Sequence, residues 1–111
     1  MPEAKTTARI VLTTAGSREE AERLARTLVE ERLAACVTAI PGAQSIYRWQ
    51  GEVESSAETL LLIKTSLEHL PALEARLHAL HSYQTPEFLV LMVESGSHAY
   101  LDWMQGGLRK A

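Results

Sequence analysis

Along this chain the spacing of apolar residues switches between a period of two and a period near 3.6, and each switch marks an element. RIVLTT (9–14) is a β-branched run that stops at Ala15-Gly16, which predicts a strand ending in a turn. Ser17-x-x-Glu20 then has capping-box spacing, and Ala21, Leu24, Ala25, Leu28 and Val29 fall on one face, so a helix is expected to about Arg32. LAACVTAI (33–40) reads as a strand buried on at least one face and stopped by Pro41-Gly42. From 44 to 65 the period is again two, with interruptions. SIYRW alternates, Gln50-Gly51 turns or bulges, EVE is short and polar, and ETLLLIKT is a buried strand. Ser66, Pro71 in the first turn, and the stripe Leu70, Leu73, Leu77, Leu80 mark a second helix. FLVLMV (88–93) is a fourth main strand. Ser97 caps a last short helix carrying Tyr100, Leu101 and Met104, which fades at Gly106-Gly107.

The order is therefore β-α-β-β-α-β with an added helix. Two split βαβ units folded into one antiparallel sheet give an α+β, ferredoxin-like sandwich with a long β-hairpin and an extra C-terminal helix. With both helices on one face, the other face would meet water, yet LLLI and FLVLMV leave few positions for a solvated side. A second copy of the chain is the expected cover. The hairpin, spanning about 34–65, outruns a helix that rises only about 1.5 Å per residue. Ile46, Tyr47, Trp49 and Val53 on that overhang invite pairing with a neighbour, so a closed homo-oligomer is expected, with these four at its interface.

Composition narrows the classes. The 111 residues, 46% of them hydrophobic, suit one domain spanning 1–111, with an ordered core of about 8–106 and a loose start at 1–7. A net charge of −3 without any Lys/Arg cluster argues against a nucleic-acid partner. The single Cys36 excludes an intrachain disulfide and a zinc site with two or more thiolates, which fits a reducing cytoplasm. No leader-like start and no apolar run long enough for a membrane span is seen, so a soluble, unprocessed chain is expected. Neither a nucleophile elbow, a phosphate loop, a dinucleotide fingerprint nor an HExxH motif occurs, which points away from an enzyme.

EERLAACV, IPGAQSIYRWQGEVE, LLLIKT, HSYQTPE and YLDW follow one another in one order and at one set of spacings. This ordered set resembles the CutA family of divalent-cation-tolerance proteins over about 9–104. The resemblance implies a ferredoxin-like protomer, a homotrimer held by strand pairing between subunits, and a likeness to the PII signalling trimers. It also implies a link to copper and other divalent-metal tolerance. Some members are described as binding Cu(II) through a first-strand Cys and a pair of His before SYQTPE. Here Thr13 and Leu80 stand at two of those positions, leaving His81, and Ser82 replaces the Pro that usually follows.

His81 is thus the metal candidate, against a plain role at a helix end. His78 is its partner at i, i+3 for Cu(II) or another divalent cation. Tyr83 and Glu87, with Lys64 and Trp103, are candidates for a small-molecule cleft between subunits, against a turn that only packs. Lys64 either binds an anion or pairs with Glu54 or Glu58. Cys36 reads as a buried, inert thiol unless it is exposed beside a basic group. Glu68, His69 and His98 lack partners at metal-binding spacing. Three functions follow: a non-enzymatic trimer of copper tolerance or response with metal at inter-subunit clefts, a PII-like ligand-binding trimer, or a scaffold that anchors a partner protein through the hairpin.

Overall fold

The structure, a computed structural model, describes residues 6–110. Four strands, β1 (Ala8–Ala15), β2 (Cys36–Trp49), β3 (Glu52–Ser66) and β4 (Leu89–Met92), form one sheet in the order β2-β3-β1-β4. Every neighbouring pair is antiparallel. Helices α1 (Arg18–Glu30) and α2 (Leu70–Leu80) cover one face, with a 3-10 turn (Leu67–His69) leading into α2. Helix α3 (His98–Gly107) follows β4. This is the ferredoxin-like α+β sandwich expected from the order of elements.

Alternation along the strands divides the sheet. Val11, Thr13, Ala15, Leu61 and Ile63 are buried against Leu24, Leu28, Leu73 and Leu77 of the helices. The residues between them, Ile10, Leu12, Leu60, Leu62 and, on β4, Leu89 and Leu91, face the other way. In one protomer α1 and α2 leave this second face open, α3 reaching it only at the Ala8 and Ser66 end, and all four residues of β4 are exposed. The apolar content that did not alternate cleanly in the sequence is this uncovered face.

The hairpin is one continuous ribbon. Pro41-Gly42 does not end β2: the strand passes through as a bulge between Ile40 and Ala43, with Gly42 at φ +83°. A proline is tolerated there because β2 is an edge strand and gives up no ladder bond. At the tip Gln50 (φ +50°) and Gly51 (φ +83°) close a two-residue turn between the paired Trp49 and Glu52. Two successive positive φ values are the type I′ geometry that matches strand twist. The arms make the molecule 49 Å long and only 23 Å thick.

Both ends of the described chain are fastened. The expected loose start lies outside the described residues as far as residue 5. Thr6 and Thr7 are tethered instead: the Thr6 hydroxyl donates to the Val93 carbonyl, and Leu67 N–H donates to the Thr7 carbonyl at 2.7 Å. Beyond α3, Leu108 is buried and Arg109 N–H donates to the Arg32 carbonyl at 2.9 Å.

Candidate functional site

Helix α2 stops at His81, whose extended backbone (φ −77°, ψ 142°) turns its side chain inward under the end of β1. The imidazole is fully buried. Tyr83 N–H donates to its Nδ1 at 3.0 Å, so that nitrogen carries no proton, and Nε2–H donates to the Thr14 carbonyl at 2.7 Å. Both ring nitrogens are thus engaged by backbone of the same protomer. A metal could take either one only after a hydrogen bond breaks.

Glu20 lies beside this ring, its Oε2 at 3.7 Å from Nδ1. The sequence suggested a capping box, and half of it forms: Ser17 Oγ accepts from Glu20 N–H at 3.1 Å. The Glu20 carboxylate turns away to accept from Ser82 N–H at 2.9 Å. Burial pushes this carboxyl up most strongly, but hydrogen bonds from the Ser82 backbone and side chain, the neighbouring His81 and the Gly16 N–H together bring it net below the usual carboxylate range.

Tyr83 extends the network to the hairpin. Its hydroxyl donates to Glu58 Oε2 at 2.7 Å. Burial, then the Glu58 carboxylate, push the phenol up to about 12, so it remains a donor. Burial also pushes Glu58 up, but bonds from Ser45, Tyr83 and Thr14 bring it net below its usual range. Glu87 behaves oppositely: desolvation, with Glu58 as a like charge nearby, holds its carboxyl up.

Glu58 stands on the uncovered sheet face, in step with Leu60, Leu62 and Lys64. Lys64 is six positions further along the same strand, about 20 Å away at strand rise. It therefore pairs with neither Glu58 nor Glu54. Its Nζ donates to Thr38 Oγ1 at 2.8 Å and approaches Cys36 Sγ at 3.6 Å. Cys36 is half-buried rather than enclosed, and a basic group does lie beside it. Trp103, exposed on α3, stacks on Tyr100 with centroids 5.5 Å apart. One protomer consequently brings Tyr83 and Glu87 to one end of the face and leaves Lys64 at the other.

His78 is exposed while His81 is buried, so the i, i+3 pair does not form: the helix has already ended at His81. Among the described residues, no three His, Cys, Asp or Glu side chains converge to hold a metal ion. One protomer therefore does not fit a closed metal site. His69, set aside in the sequence for want of a metal partner, is buried with a different task. Its Nε2–H donates to the Arg109 carbonyl at 2.6 Å and its Nδ1 accepts from the Ser66 hydroxyl at 2.6 Å, pinning the segment after α3. Glu20 and Glu58 were not singled out as members of this network, because their partners come from 62 and 25 residues away.

A model of the CutA1 divalent ion tolerance protein family matches residues 9–106. The divalent-cation tolerance protein CutA of Thermus thermophilus is 51% identical over 96 residues, covering 86% of this chain and 93% of its own. Among solved structures, CutA from Xylella fastidiosa superposes with a TM-score of 0.92 at 43% identity, covering 94% of this chain and 100% of its own. CutA from Archaeoglobus fulgidus, described as a periplasmic divalent cation tolerance protein, gives 0.89 at 35% identity, with 92% and 99% covered.

Proposed function

Because the chain belongs to the CutA1 divalent ion tolerance family, we propose that it works without catalysis, as a homotrimer in divalent-cation tolerance, with weak sites for copper or another divalent metal at clefts between subunits. The uncovered sheet face carries this reading. Ile10, Leu12, Leu60, Leu62, Leu89 and Leu91 form an apolar surface that other copies would remove from water. The outer edges of β2 and β4 are different surfaces, so joining one to the other is heterologous, and a rotation of one-third of a turn between copies would close it into a ring of three. The exposed Ile46, Tyr47, Trp49 and Val53 on the hairpin supply further contact area. A cytoplasmic location belongs to the same reading and draws on the free thiol, although the Archaeoglobus relative is described as periplasmic.

For the metal, Glu58 and Glu87 offer two carboxylates per protomer beside the Tyr83 phenol, and a neighbouring copy would have to complete the set. His81 would join only by releasing Tyr83 N–H or the Thr14 carbonyl.

Native mass spectrometry with and without one equivalent of Cu(II) per chain tests both parts together. A trimer holding three coppers is the expected result, and a monomer overturns the assembly. A trimer that stays bare removes the metal clause and leaves the second reading, a PII-like trimer that binds a small organic or inorganic ligand. One observation favours that reading independently: Lys64, Cys36 and Thr38 converge on the uncovered face, beside Ile10 and Leu62 and at the far end from Glu58.

A further inference from the structure

We infer that Lys64, Thr38 and Cys36 form a binding site for a small oxyanion, a phosphate or carboxylate group, on the uncovered face of the sheet. This deepens the small-ligand reading and rests on it only for walls that other copies would add, since the three donors all belong to one protomer.

The register sets the site. Cys36 pairs with Lys64 and Thr38 with Leu62 across β2 and β3, so all three polar side chains emerge on the same face. An ammonium has three donors and no acceptor. One goes to Thr38 Oγ1 at 2.8 Å, and a second meets only the weak acceptor Cys36 Sγ at 3.6 Å. The Thr38 hydroxyl, accepting from Lys64, keeps its own proton to donate, and the thiol is a weak donor. Among the described residues, donors converge here without a charged acceptor. Among the described residues Lys64 takes part in no ion pair.

The surroundings add to the need for a counter-charge. Ile10 pairs with Lys64 on one side and with Leu91 on the other, and Leu62 is next on the same face. Apolar walls weaken screening and strengthen charge-assisted bonds from the ammonium to an oxyanion. A metal ion is excluded by the positive charge, and a neutral acceptor would leave that charge uncompensated. A compact ammonium suits an oxyanion as a point charge, without the planar fork that Arg would impose.

The chain has three lysines, Lys5, Lys64 and Lys110, which makes a direct experiment available. Full-length protein labelled with 13C at lysine Cε is titrated with inorganic phosphate at constant ionic strength and pH, and the Lys64 signal is assigned by its loss in Lys64→Met. The expected result is a saturable shift of the Lys64 resonance at millimolar phosphate, with Lys5 and Lys110 moving little and in proportion to added salt. Phosphate affinity measured by calorimetry should fall at least about tenfold in Lys64→Met and persist in Lys64→Arg. No saturable shift in the wild type overturns the site, as does binding that Lys64→Met leaves unchanged. If phosphate fails to bind while Lys64→Met alters the native mass, the counter-charge is a carboxylate of a second copy and the free-ligand site is wrong. The mass of the wild-type assembly, read separately, keeps failure of the anion site distinct from failure of the trimer.

Discussion

The Tyr83 hydroxyl donates to Glu58 Oε2 at 2.7 Å, and it does so over Gly16, where a Cβ would lie 3.2 Å from the phenol oxygen. Three segments distant in sequence meet at this point: the turn after β1, the base of the hairpin, and the loop after α2. The glycine matters for its missing side chain. With it in place, the loop carrying SYQTPE is locked to the sheet, and Glu58 stays ionised in a buried position on the uncovered face.

Tyr83→Phe removes one donor from that carboxylate and should cost about 1 kcal/mol at neutral pH. The pH dependence separates charge from packing. The Glu58 carboxyl is held below its ordinary value in the folded state, so its stabilisation is present above the unfolded pKa and fades as pH falls through the folded one. The gap between parent and variant in urea unfolding should therefore narrow as pH falls from neutral through the depressed folded-state pKa of Glu58. A gap that does not change would assign the loss to ring packing.

Glu87 gives the opposite sign. Desolvation and the nearby Glu58 charge raise its carboxyl, so ionisation costs the folded state stability above the raised pKa and costs nothing once pH is below the unfolded value. Glu87→Gln should stabilise slightly at neutral pH, within about 0.5 kcal/mol for so exposed a position, and make no difference in acid. Glu58→Gln should destabilise at neutral pH. Thermal unfolding of the two variants at both pH values checks the contrast, and two changes of the same sign would contradict it.

What could be read from the sequence was whatever depends on local period. The capping Ser17 and Ser97 do accept from Glu20 and Tyr100 N–H, and the stripes of Leu24, Leu28, Leu73 and Leu77 do form the core. Pro41-Gly42 misled because an edge strand tolerates a proline at a bulge, a fact set by sheet position and not by the dipeptide. The candidate site was less legible for the same reason. Tyr83 and Glu87 were named from their loop, but Glu58 and Glu20 join them only through the sheet and α1, and Lys64 departs from them because one strand carries it to the other end. His81 illustrates the limit: its residue type suggested a metal, while its two backbone partners depend on the turn that ends α2 and on β1 lying above it.

Thr13 offers a gain in stability. Its Oγ1 is buried between sheet and helices without a hydrogen-bond partner among the described residues. Thr13→Val keeps the shape and the β-branch while removing the unmatched hydroxyl, and should stabilise the protein by about 1 kcal/mol. A raised midpoint in urea with an unchanged slope is the expected signature. A loss of stability would mean that the hydroxyl has a partner.

Gly51 tests the hairpin tip by itself. An added Cβ would meet nothing within 4 Å, so Gly51→Ala carries no steric contact cost, only that of a non-glycine residue at φ +83°. About 1 kcal/mol of destabilisation is expected. Should the hairpin enter an inter-subunit contact, the variant will also lower assembly at micromolar concentration, measurable by sedimentation. Loss of stability alone would place the tip outside that contact.

His81 decides between a structural pin and a ligand. His81→Phe fills a similar volume but leaves the Tyr83 N–H and the Thr14 carbonyl without partners, each in a partly buried setting, and should cost about 1–3 kcal/mol. It should also loosen the loop that holds Tyr83 against Glu58, visible as faster amide exchange at Ser82 and Tyr83. Copper uptake per folded chain is the second readout. If the imidazole is a pin, stability falls while metal stoichiometry on the folded fraction holds, because Glu58 and Glu87 still carry their carboxylates. If it is a ligand, copper is lost even at temperatures well below the variant's unfolding transition. The two outcomes differ in which measurement moves, so the engaged nitrogens seen in one protomer become a testable statement about the assembled protein.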